Sequence, residues 1–478
     1  MIVDNILTVE RDELTRKQWA KLMARLTFTD ADGRDFHCFR VRKRSGTVEI
    51  PRGAWYLPEF EHVVYEDRRS CPPMPELDFT LKLDDISKSK NFKGQSEAVA
   101  AMLKQEQGLI VRMPGSGKSQ IILNFVAKCR TRSLVIVHTH DLIEQWMMYA
   151  KRAIPDVDIG LIQGPNYKIG HLTIASVQTL IDYVDFTEPE WWEQFGATIV
   201  DETHHAPAET WNLILNNSMS RYRLGATATE KRADKRDPEI KYLIGPVIHR
   251  GDFEPEVPTQ VIPVKTNYYF PYRGSFDWKK LVDDLIFNPA RNKLIAAHAD
   301  KEVRRGNSVL ILSRRIDQLA EIEKYMQTDR HAILAATGSH RLPRLKRRQL
   351  VKDFRRGKIK CVLATQLADE GLDVQRLNRV FLVHPGKAEG RIIQQVGRAL
   401  RAHADKVDAL IYDFVDDRVS VLRKQWLHRK YAYKGMKIPV KKRQRGEDYA
   451  LEKIGKRIVQ HIVPKRSTRS RDHDRGAR

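Results

Sequence analysis

The sequence predicts an α/β protein with two tandem parallel-sheet domains, a small α+β domain before them and a basic tail after them. Two regions alternate short apolar runs, typical of buried parallel strands, with amphipathic helical stretches. The length of 478 residues exceeds what one hydrophobic core usually serves, and hydrophobic residues make up 41% of the chain. The units are predicted at residues 1–86, 87–250, 251–289, 290–416 and 417–478.

The first unit, residues 1–86, is predicted to combine one helix with short strands. Residues 12–26 have helical spacing, with core positions at Leu14, Trp19, Leu22 and Leu26. Strands are expected at 26–29, 36–41 and 47–50, separated by turns. The proline-rich stretch 71–75 cannot continue a helix or a central strand, so we interpret it as a linker. Basic residues crowd the predicted hairpin: Arg40, Arg42, Lys43, Arg44 and Arg52.

The two α/β domains are predicted from buried strands. In the first they are expected at 109–111, 133–137, 172–175, 197–200 and 222–225, and in the second at 309–312, 332–334, 360–364, 379–383 and 409–413. The connector between the domains is rich in aromatic residues, which we expect to be core residues in preference to a stacking surface for bases. From Lys434 to Arg478 the chain carries fifteen Lys/Arg against five Asp/Glu.

Composition narrows the class of protein. No stretch approaches the ~18–20 apolar residues of a membrane span, and no secretory signal is visible, so a cytoplasmic location is expected. Four dispersed cysteines form no CxxC pair, which predicts neither structural zinc nor a disulfide framework. The 84 Lys+Arg against 61 Asp+Glu give a formal charge of +23. That charge favours a polyanionic partner, although a basic soluble protein would show the same charge.

A phosphate-binding loop is predicted in the run Met113-Pro114-Gly115-Ser116-Gly117-Lys118-Ser119, which lies between an apolar strand and an apolar helix. Glycines allow backbone N–H groups to converge on phosphates at a helix N-terminus. Lys118 would reach the β- and γ-phosphates of ATP, and the Ser119 hydroxyl would ligate Mg²⁺. The usual small first residue of such a loop is replaced by Arg112.

Two carboxylates, Asp201 and Glu202, follow the apolar run 197–200 and therefore emerge at the carboxyl end of a strand, where α/β sheets bind ligands. Asp201 would hold Mg²⁺, and Glu202 would orient and deprotonate the attacking water. An N-cap or a salt bridge is the ordinary role of such a pair. The following His204 and His205 make the pattern more specific, but adjacent histidines point to different helix faces and do not predict a metal site.

A third segment places Gln394, Arg398 and Arg401 about one helical turn apart on a common face. Two guanidinium groups on one face can bind a phosphate bidentately and stabilise charge that develops on the γ-phosphoryl group. Such arginines contribute ~10³–10⁵ in rate in other phosphoryl-transfer enzymes. The alternative is a solvated basic helix, which does not explain Gly397 in its middle.

Together these segments resemble the superfamily-2 helicases and translocases of the DExH type, over residues 87–416. The resemblance implies two RecA-like domains with ATP and Mg²⁺ in the cleft between them. It assigns adenine recognition to Gln95 and coupling of hydrolysis to domain movement to Thr227, Ala228 and Thr229. Residues implied to face the nucleotide are Lys118, Ser119, Asp201 and Glu202 from the first domain, and Gly371, Asp373, Gln394, Arg398 and Arg401 from the second.

The resemblance also implies a strand of nucleic acid held through its phosphates, with little sequence specificity. In the first domain the implied contacts are Thr139, His140, Gln178 and Thr179, and in the second Ser313, Arg314, Thr337, Gly338 and Thr365. The basic hairpin of the first unit would add Arg42, Lys43 and Arg44.

The Asp-Glu-Thr-His-His segment and the pair Arg291-Asn292 resemble the branch that contains XPB, RecG-like and phage UvsW-type enzymes. That branch acts mainly on DNA, including forks and recombination intermediates. We therefore expect an ATP-driven helicase that unwinds or branch-migrates forked DNA. Three alternatives stay open: an RNA helicase, the motor subunit of a restriction-type complex, and a DNA-binding scaffold without activity.

Overall fold

The computed structural model describes residues 1–30, 32–81, 92–113, 115–184, 188–203, 208–228, 236–252, 254–255, 257–335, 342–365, 374, 376–386 and 406–441. These residues form a small N-terminal unit and two parallel α/β domains, as the sequence predicts. No helix within the described ranges is long and apolar enough to cross a membrane.

The N-terminal unit has one helix, α1 (Arg16–Arg25), which begins with a capping box. Gln18 N donates to Thr15 Oγ1, and the Gln18 side chain accepts from Thr15 N. Its strands are β1 (Ile2–Val3), β2 (Ile6–Glu10), β3 (Thr27–Thr29), β4 (Asp35–His37), β5 (Arg40–Arg42), β6 (Thr47–Pro51) and β7 (Glu66–Asp67). One sheet has the order β5-β6-β2-β1-β7, and β3 pairs with β4. Short 3₁₀ helices span Arg11–Glu13, Arg52–Tyr56 and Pro58–Phe60.

The single strand predicted at 36–41 is wrong. The structure has two strands there, β4 and β5, which belong to different sheets. Between them Cys38 turns its thiol into the core of the unit, where it is 8% exposed. Burial of this small apolar side chain fixes the point at which the chain leaves one sheet for the other.

Two buried arginines fasten the N-terminal unit to the first α/β domain. Arg52, predicted to lie with the basic hairpin, is instead fully buried, and its guanidinium donates to Asp4 O at 2.8 Å and to Ser220 O at 2.7 Å. Arg223 of the first domain donates to Asn5 O at 2.8 Å in the opposite direction. Since each guanidinium satisfies backbone carbonyls across the boundary, the unit is docked on the domain.

The first α/β domain is an eight-stranded sheet that is parallel except for one edge strand. Its strands are β8 (Gln107–Val111), β9 (Ser133–Val137), β10 (Ile159–Gln163), β11 (Asn166–Lys168), β12 (Leu172–Ser176), β13 (Ala197–Asp201), β14 (Tyr222–Thr227) and β15 (Val247–Arg250). Its helices are α2 (Gln95–Gln105), α3 (Lys118–Lys128), α4 (His140–Ala153), α5 (Val177–Val184), α6 (Pro189–Glu193), α7 (Ala208–Leu215) and α8 (Asp237–Ile244). The strand order is β11-β10-β12-β9-β13-β14-β8-β15.

Both faces of this sheet are covered. Along β9, Val135 and Val137 belong to the core beneath α3 and α4, whereas Leu134 and Ile136 belong to the core on the opposite face. A strand buried on both faces is apolar at every position, which is why the apolar runs predicted these strands closely.

The predicted linker at 71–75 is part of an ordered extended segment that lies along the first domain. Met74 N donates to Arg130 O at 2.7 Å, Leu77 N to Ala127 O at 2.9 Å, and Thr80 N to Ala153 O at 2.9 Å. Leu77 and Phe79 pack on the core of the domain. The segment therefore holds the N-terminal unit in place by backbone hydrogen bonds and by apolar contacts.

The second domain has a six-stranded parallel sheet with the order β16-β21-β20-β17-β19-β18. Its strands are β16 (Thr259–Lys265), β17 (Val309–Leu312), β18 (His331–Leu334), β19 (Cys361–Ala364), β20 (Arg379–Leu382) and β21 (Ala409–Val415). Its helices are α9 (Trp278–Ile286), α10 (Pro289–Arg304), α11 (Ile316–Glu323), α12 (Arg344–Arg355) and α13 (Ser420–Gly435), with a 3₁₀ turn at Ser275–Asp277.

Part of the segment that the sequence analysis assigned to the connector lies in this second sheet. β16 pairs with β21 over all seven of its residues. After β16, the connector aromatics Tyr268, Phe270, Tyr272 and Trp278 pack with Leu281 and Leu285 in one cluster. Tyr268 is buried and the other three are partly buried in this cluster, as predicted, whereas Tyr269 and Phe276 are 62% and 74% exposed.

Candidate active site

Three neighbouring strands of the first domain bring the predicted motifs to one edge of the sheet. β14 lies between β13 and β8, and all three are parallel. Asp201 is in register with Ala226, and Thr227 with Val111. The loop after β8, the two carboxylates after β13 and the segment after β14 therefore meet at the carboxyl ends of the strands, where parallel sheets bind ligands.

The loop between β8 and α3 has the backbone that a phosphate cradle requires. Gly115 and Gly117 adopt left-handed conformations with φ of 83° and 76°. A Cβ atom on Gly117 would lie 2.2 Å from Gln95 Nε2, so a larger residue would displace the Gln95 amide and would also be strained by the positive φ. Lys118 and Ser119 are the first two residues of α3, and the helix N-terminus faces the loop.

Lys118 and Glu202 form an ion pair in the centre of the site. Lys118 Nζ lies 3.2 Å from Glu202 Oε1 and donates to Arg112 O at 3.2 Å. The Lys118 residue is only 8% exposed. Glu202 has a φ of 50°, which is uncommon for a residue with a side chain and marks a locally constrained turn after β13.

Asp201 is buried beside this pair and accepts a hydrogen bond from Trp146 Nε1 at 3.0 Å. Burial, with Glu202 as the second cause, raises the pKa of Asp201 to about 6, while Lys118 and the Trp146 hydrogen bond oppose that rise. A cation bound at this carboxylate would favour its ionised form. The buried carboxylate and the Ser119 hydroxyl are oxygen ligands of the kind that Mg²⁺ prefers, so the residues fit this ion.

Arg112 explains the departure from the usual phosphate-loop pattern. It is 1% exposed and donates to Gly94 O at 3.1 Å and to Lys93 O at 2.9 Å. The fully buried Gln95 donates from Nε2 to Ser116 O at 3.1 Å. The two residues before α2 therefore accept hydrogen bonds from Arg112, which directly follows β8. Gln95, the first residue of α2, donates to the phosphate loop, so its side chain lies against the cradle.

The predicted nucleic-acid contacts of the first domain lie at the carboxyl ends of β9, β10 and β12. Thr139 caps α4 by accepting from Leu142 N at 3.3 Å, and His140 Nδ1 is hydrogen-bonded to Gln163 at the end of β10. Gln178 Nε2 donates to His138 O at 3.2 Å, and Thr179 Oγ1 accepts from Gly164 N at 2.9 Å. The four predicted residues thus join adjacent loops of one edge.

In the second domain Ser313, Arg314 and Thr365 lie at the corresponding strand ends, after β17 and β19. Ser313 Oγ donates to Gln318 Oε1 at 2.6 Å. Burial lowers the pKa of Arg314, and burial together with Arg314 lowers the pKa of the neighbouring His384 to about 3. Thr365 Oγ1 is buried without a hydrogen-bond partner among the described residues.

Several predicted site residues lie outside the described residues, so their roles stay predictions. They are Pro114, His204, His205, Thr229, Thr337, Gly338, Gly371, Asp373, Gln394, Arg398 and Arg401.

The basic hairpin of the N-terminal unit is formed by β5 and β6. Lys43 and Arg44 are exposed in its turn, and Arg42 Nε lies 2.7 Å from Glu49 Oε1. The pair Arg291-Asn292, which carried part of the family resemblance, is buried. Arg291 pairs with Asp416 at 2.9 Å, and Asn292 Nδ2 donates to Ile286 O at 2.7 Å. This pair orders α10 inside the second domain.

Sequence reasoning did not identify Trp146 as a partner of Asp201, because 55 residues separate them along the chain. It noted Arg112 only as a departure from a pattern. That departure could have predicted its hydrogen bonds, because a buried arginine in a phosphate loop needs acceptors for its N–H groups close by.

Two family matches cover the two α/β domains in order. Residues 88–232 match the family described as type III restriction enzyme, res subunit, and residues 290–403 match the helicase conserved C-terminal domain.

Three relatives that match at least three quarters of this chain are 26–28% identical to it. The DNA 3'-5' translocase XPB2 of Sulfurisphaera tokodaii is 26% identical over 398 residues, which cover 75% of this chain and 87% of that protein. A protein of Acanthamoeba polyphaga mimivirus, named as an ATP-dependent RNA helicase, is 26% identical over 387 residues, covering 77% and 71%. A helicase of Escherichia phage T5 is 28% identical over 393 residues, covering 78% and 81%.

The two matched families together span more than half of the chain, and each covers most strands of one of the two α/β domains. The predicted family is confirmed: the chain belongs to the superfamily-2 helicases, with kinship to the XPB type, and it is an ATP-dependent helicase or translocase.

Proposed function

We propose that this helicase moves on DNA and that its preferred substrates are forks and branched recombination intermediates. DNA is supported by the similarity to a relative named as a DNA 3'-5' translocase over 75% of this chain. The ATP-driven motor is supported by the contact of Lys118 with Glu202 beside the buried Asp201, at the sheet edge formed by β8, β13 and β14. This arrangement suits hydrolysis of a nucleoside triphosphate, because it combines a buried ammonium, a carboxylate base and a cation ligand.

In the proposed mechanism, bound ATP·Mg²⁺ supplies the transferred γ-phosphoryl group and the cation that offsets its charge. Lys118 exchanges Glu202 for phosphate oxygens, and Glu202 then accepts a proton from the attacking water. Asp201 and Ser119 would hold the Mg²⁺, and Gln95 would recognise adenine beside the cradle.

We assign the remaining roles from the family resemblance. Thr227, Ala228 and Thr229 couple hydrolysis to domain movement, and Gly371, Asp373, Gln394, Arg398 and Arg401 complete the ATP site from the second domain. Within the described residues, Met113 of the phosphate loop and Ala228 already pack against the core of the second domain. That contact supports a nucleotide site closed by both domains.

The nucleic acid would lie across the edge formed by Thr139, His140, Gln178 and Thr179, and then continue over Ser313, Arg314, Thr337, Gly338 and Thr365. Arg42, Lys43 and Arg44 of the docked N-terminal unit would hold a duplex arm. The formal charge of +23 supports binding through phosphates, which is largely independent of sequence.

RNA is the second candidate substrate, because one relative is named as an RNA helicase and the motor could act on either polymer. DNA is favoured by the relative named as a DNA translocase, which matches 75% of this chain. A restriction-type motor is the third candidate, from the name of the matched family. The sequence contains no recognisable nuclease segment that would support it.

The experiment is steady-state ATPase on single-stranded DNA, duplex, fork, four-way junction and matched RNA at one fixed salt concentration. We expect the largest stimulation with forks and junctions. Lys118→Ala should lose ATP turnover with every substrate and serves as the control for the site. Stimulation by RNA alone would overturn the DNA proposal, and normal turnover in Lys118→Ala would overturn the ATP-site assignment.

A further inference from the structure

We propose that α4 couples the nucleic-acid edge of the first domain to the ATP site, with Trp146 as the positioning residue that acts on Asp201. The inference rests on the proposed function, because it takes Thr139 and His140 as phosphate contacts and Asp201 as the Mg²⁺ ligand. It adds a residue and a route that the family resemblance does not assign.

The ATP end of this route is the indole of Trp146. Its Nε1 donates to Asp201 Oδ2 at 3.0 Å, and the residue is only 2% exposed. The ring packs in the core with Ile143 and Ala150 of the same helix. Because close-packed neighbours leave the indole little freedom, a shift of α4 must move the hydrogen bond to Asp201 or strain it.

The nucleic-acid end is the first turn of the same helix. Thr139 caps α4, and His140 is hydrogen-bonded to Gln163 at the end of β10. Six residues separate His140 from Trp146, or about 9 Å along a helix axis. Over such a short stretch of helix, we expect a displacement at His140 to move Trp146 as part of the same rigid body.

A contact with the second domain falls between these two ends. Glu144 of α4 forms an ion pair with Arg348 of α12. Both side chains are about half exposed, so the pair contributes little to stability. Its position nevertheless links the second domain to the same helix, so that α4 contacts the nucleic-acid edge, the second domain and Asp201.

The test is equilibrium binding without turnover, on the full-length chain. Affinity for a labelled DNA fork is measured at one fixed Mg²⁺ concentration, once with and once without a non-hydrolysable ATP analogue. Coupled sites must affect each other's affinity by the same factor, and typical couplings are ~5–150-fold. We expect a ratio in that range for the wild-type chain and a ratio within about twofold of unity for Trp146→Phe.

Nucleotide affinity is measured in parallel. Loss of a hydrogen-bond partner of a metal ligand typically weakens metal binding ~10–100-fold. In Trp146→Phe we therefore expect a higher Mg²⁺ requirement for analogue binding, with unchanged analogue affinity in EDTA. Trp192→Phe is the matched control, since Trp192 is also 2% exposed but packs on the other face of the sheet. It should keep both wild-type values.

Trp146→His retains a ring N–H and serves as the second variant. Partial recovery of the coupling ratio in Trp146→His would support the hydrogen bond as its carrier. Equal loss in both variants would overturn that assignment in favour of packing, and a wild-type ratio in Trp146→Phe would overturn the inference. Neither result would affect the proposed function, which is tested separately by the substrate dependence of the ATPase and by Lys118→Ala.

Discussion

At the residue scale, the candidate active site contains a basic and an acidic side chain that pair with each other, Lys118 and Glu202. Lys118 is buried, and an unpaired ammonium in that position would be costly. Its contact with Glu202 offsets that cost. In the proposed mechanism this contact opens when Lys118 binds phosphate oxygens.

The neutral His384 makes the stability of the second domain sensitive to acid. Burial, assisted by Arg314 and Arg291, lowers its pKa from 6.5 to about 3. Between those pH values the unfolded chain binds a proton that the folded chain does not, so stability falls as pH falls below about 6.5. The loss between pH 7 and pH 5 should be about 1–2 kcal/mol from this group.

We expect His384→Gln to reduce the difference in unfolding free energy between pH 7 and pH 5, measured by urea titration. His62→Gln is the control, because His62 is exposed in the N-terminal unit. It should keep the wild-type difference. An unchanged difference in His384→Gln would mean that another group causes the acid sensitivity.

At the scale of elements, basic residues close in sequence have opposite roles. Arg44 lies exposed in the turn of the β5–β6 hairpin, while Arg52, directly after β6, is buried against the first domain. Burial lowers the pKa of Arg52 well below its ordinary value, and the nearby Arg223 adds to this effect. The hairpin therefore presents one part of its charge to solvent and uses another to dock.

Arg52→Met should lower the free energy of unfolding by about 1–3 kcal/mol, because it leaves the carbonyls of Asp4 and Ser220 without their donor. DNA affinity should stay close to wild type. Arg44→Ala should show the reverse, with stability within about 0.5 kcal/mol and weaker DNA binding. Denaturant titration and fluorescence anisotropy measure the two effects. Weaker DNA binding in a fully stable Arg52→Met would contradict the docking role.

At the scale of the whole molecule, the described residues of the helicase domains end at residue 441, and a strongly basic sequence follows them. α13 packs on the second sheet, and the segment after it is fixed by Val261 N donating to Pro439 O and Lys441 N donating to Val261 O, both at 2.9 Å. Removal of the basic tail from Lys434 onwards would delete these contacts. The structure places the better truncation point after Lys441.

Truncation after Lys441 removes twelve Lys/Arg and five Asp/Glu and keeps the described fold. We expect an unchanged melting temperature, weaker DNA binding and a flatter salt dependence, by about 0.9 in the logarithmic slope for each lost phosphate contact. Affinity for one DNA duplex across a series of salt concentrations measures this slope. A wild-type slope would show that the tail makes no phosphate contacts.

The sequence alone determined the two parallel sheets, the family and the sheet edge at which the motifs lie. It could do so because strands buried on both faces are apolar at every position, and because phosphate chemistry requires specific residues next to such strands. β16 escaped prediction for a related reason. It is an edge strand that contains Pro263, and an edge position tolerates a residue without an N–H donor.

Only the tertiary structure decided which charges are buried and which distant residues touch. Arg44 and Arg52 are both arginines in or next to the same hairpin. Neither their spacing along the chain nor the net charge of the region shows which one is buried against the first domain and which one is exposed. The contact between Trp146 and Asp201 joins an element after β9 to the end of β13, and no periodicity along the chain encodes it. Such pairs arise when strands assemble side by side, because packing then brings together residues that are far apart in sequence.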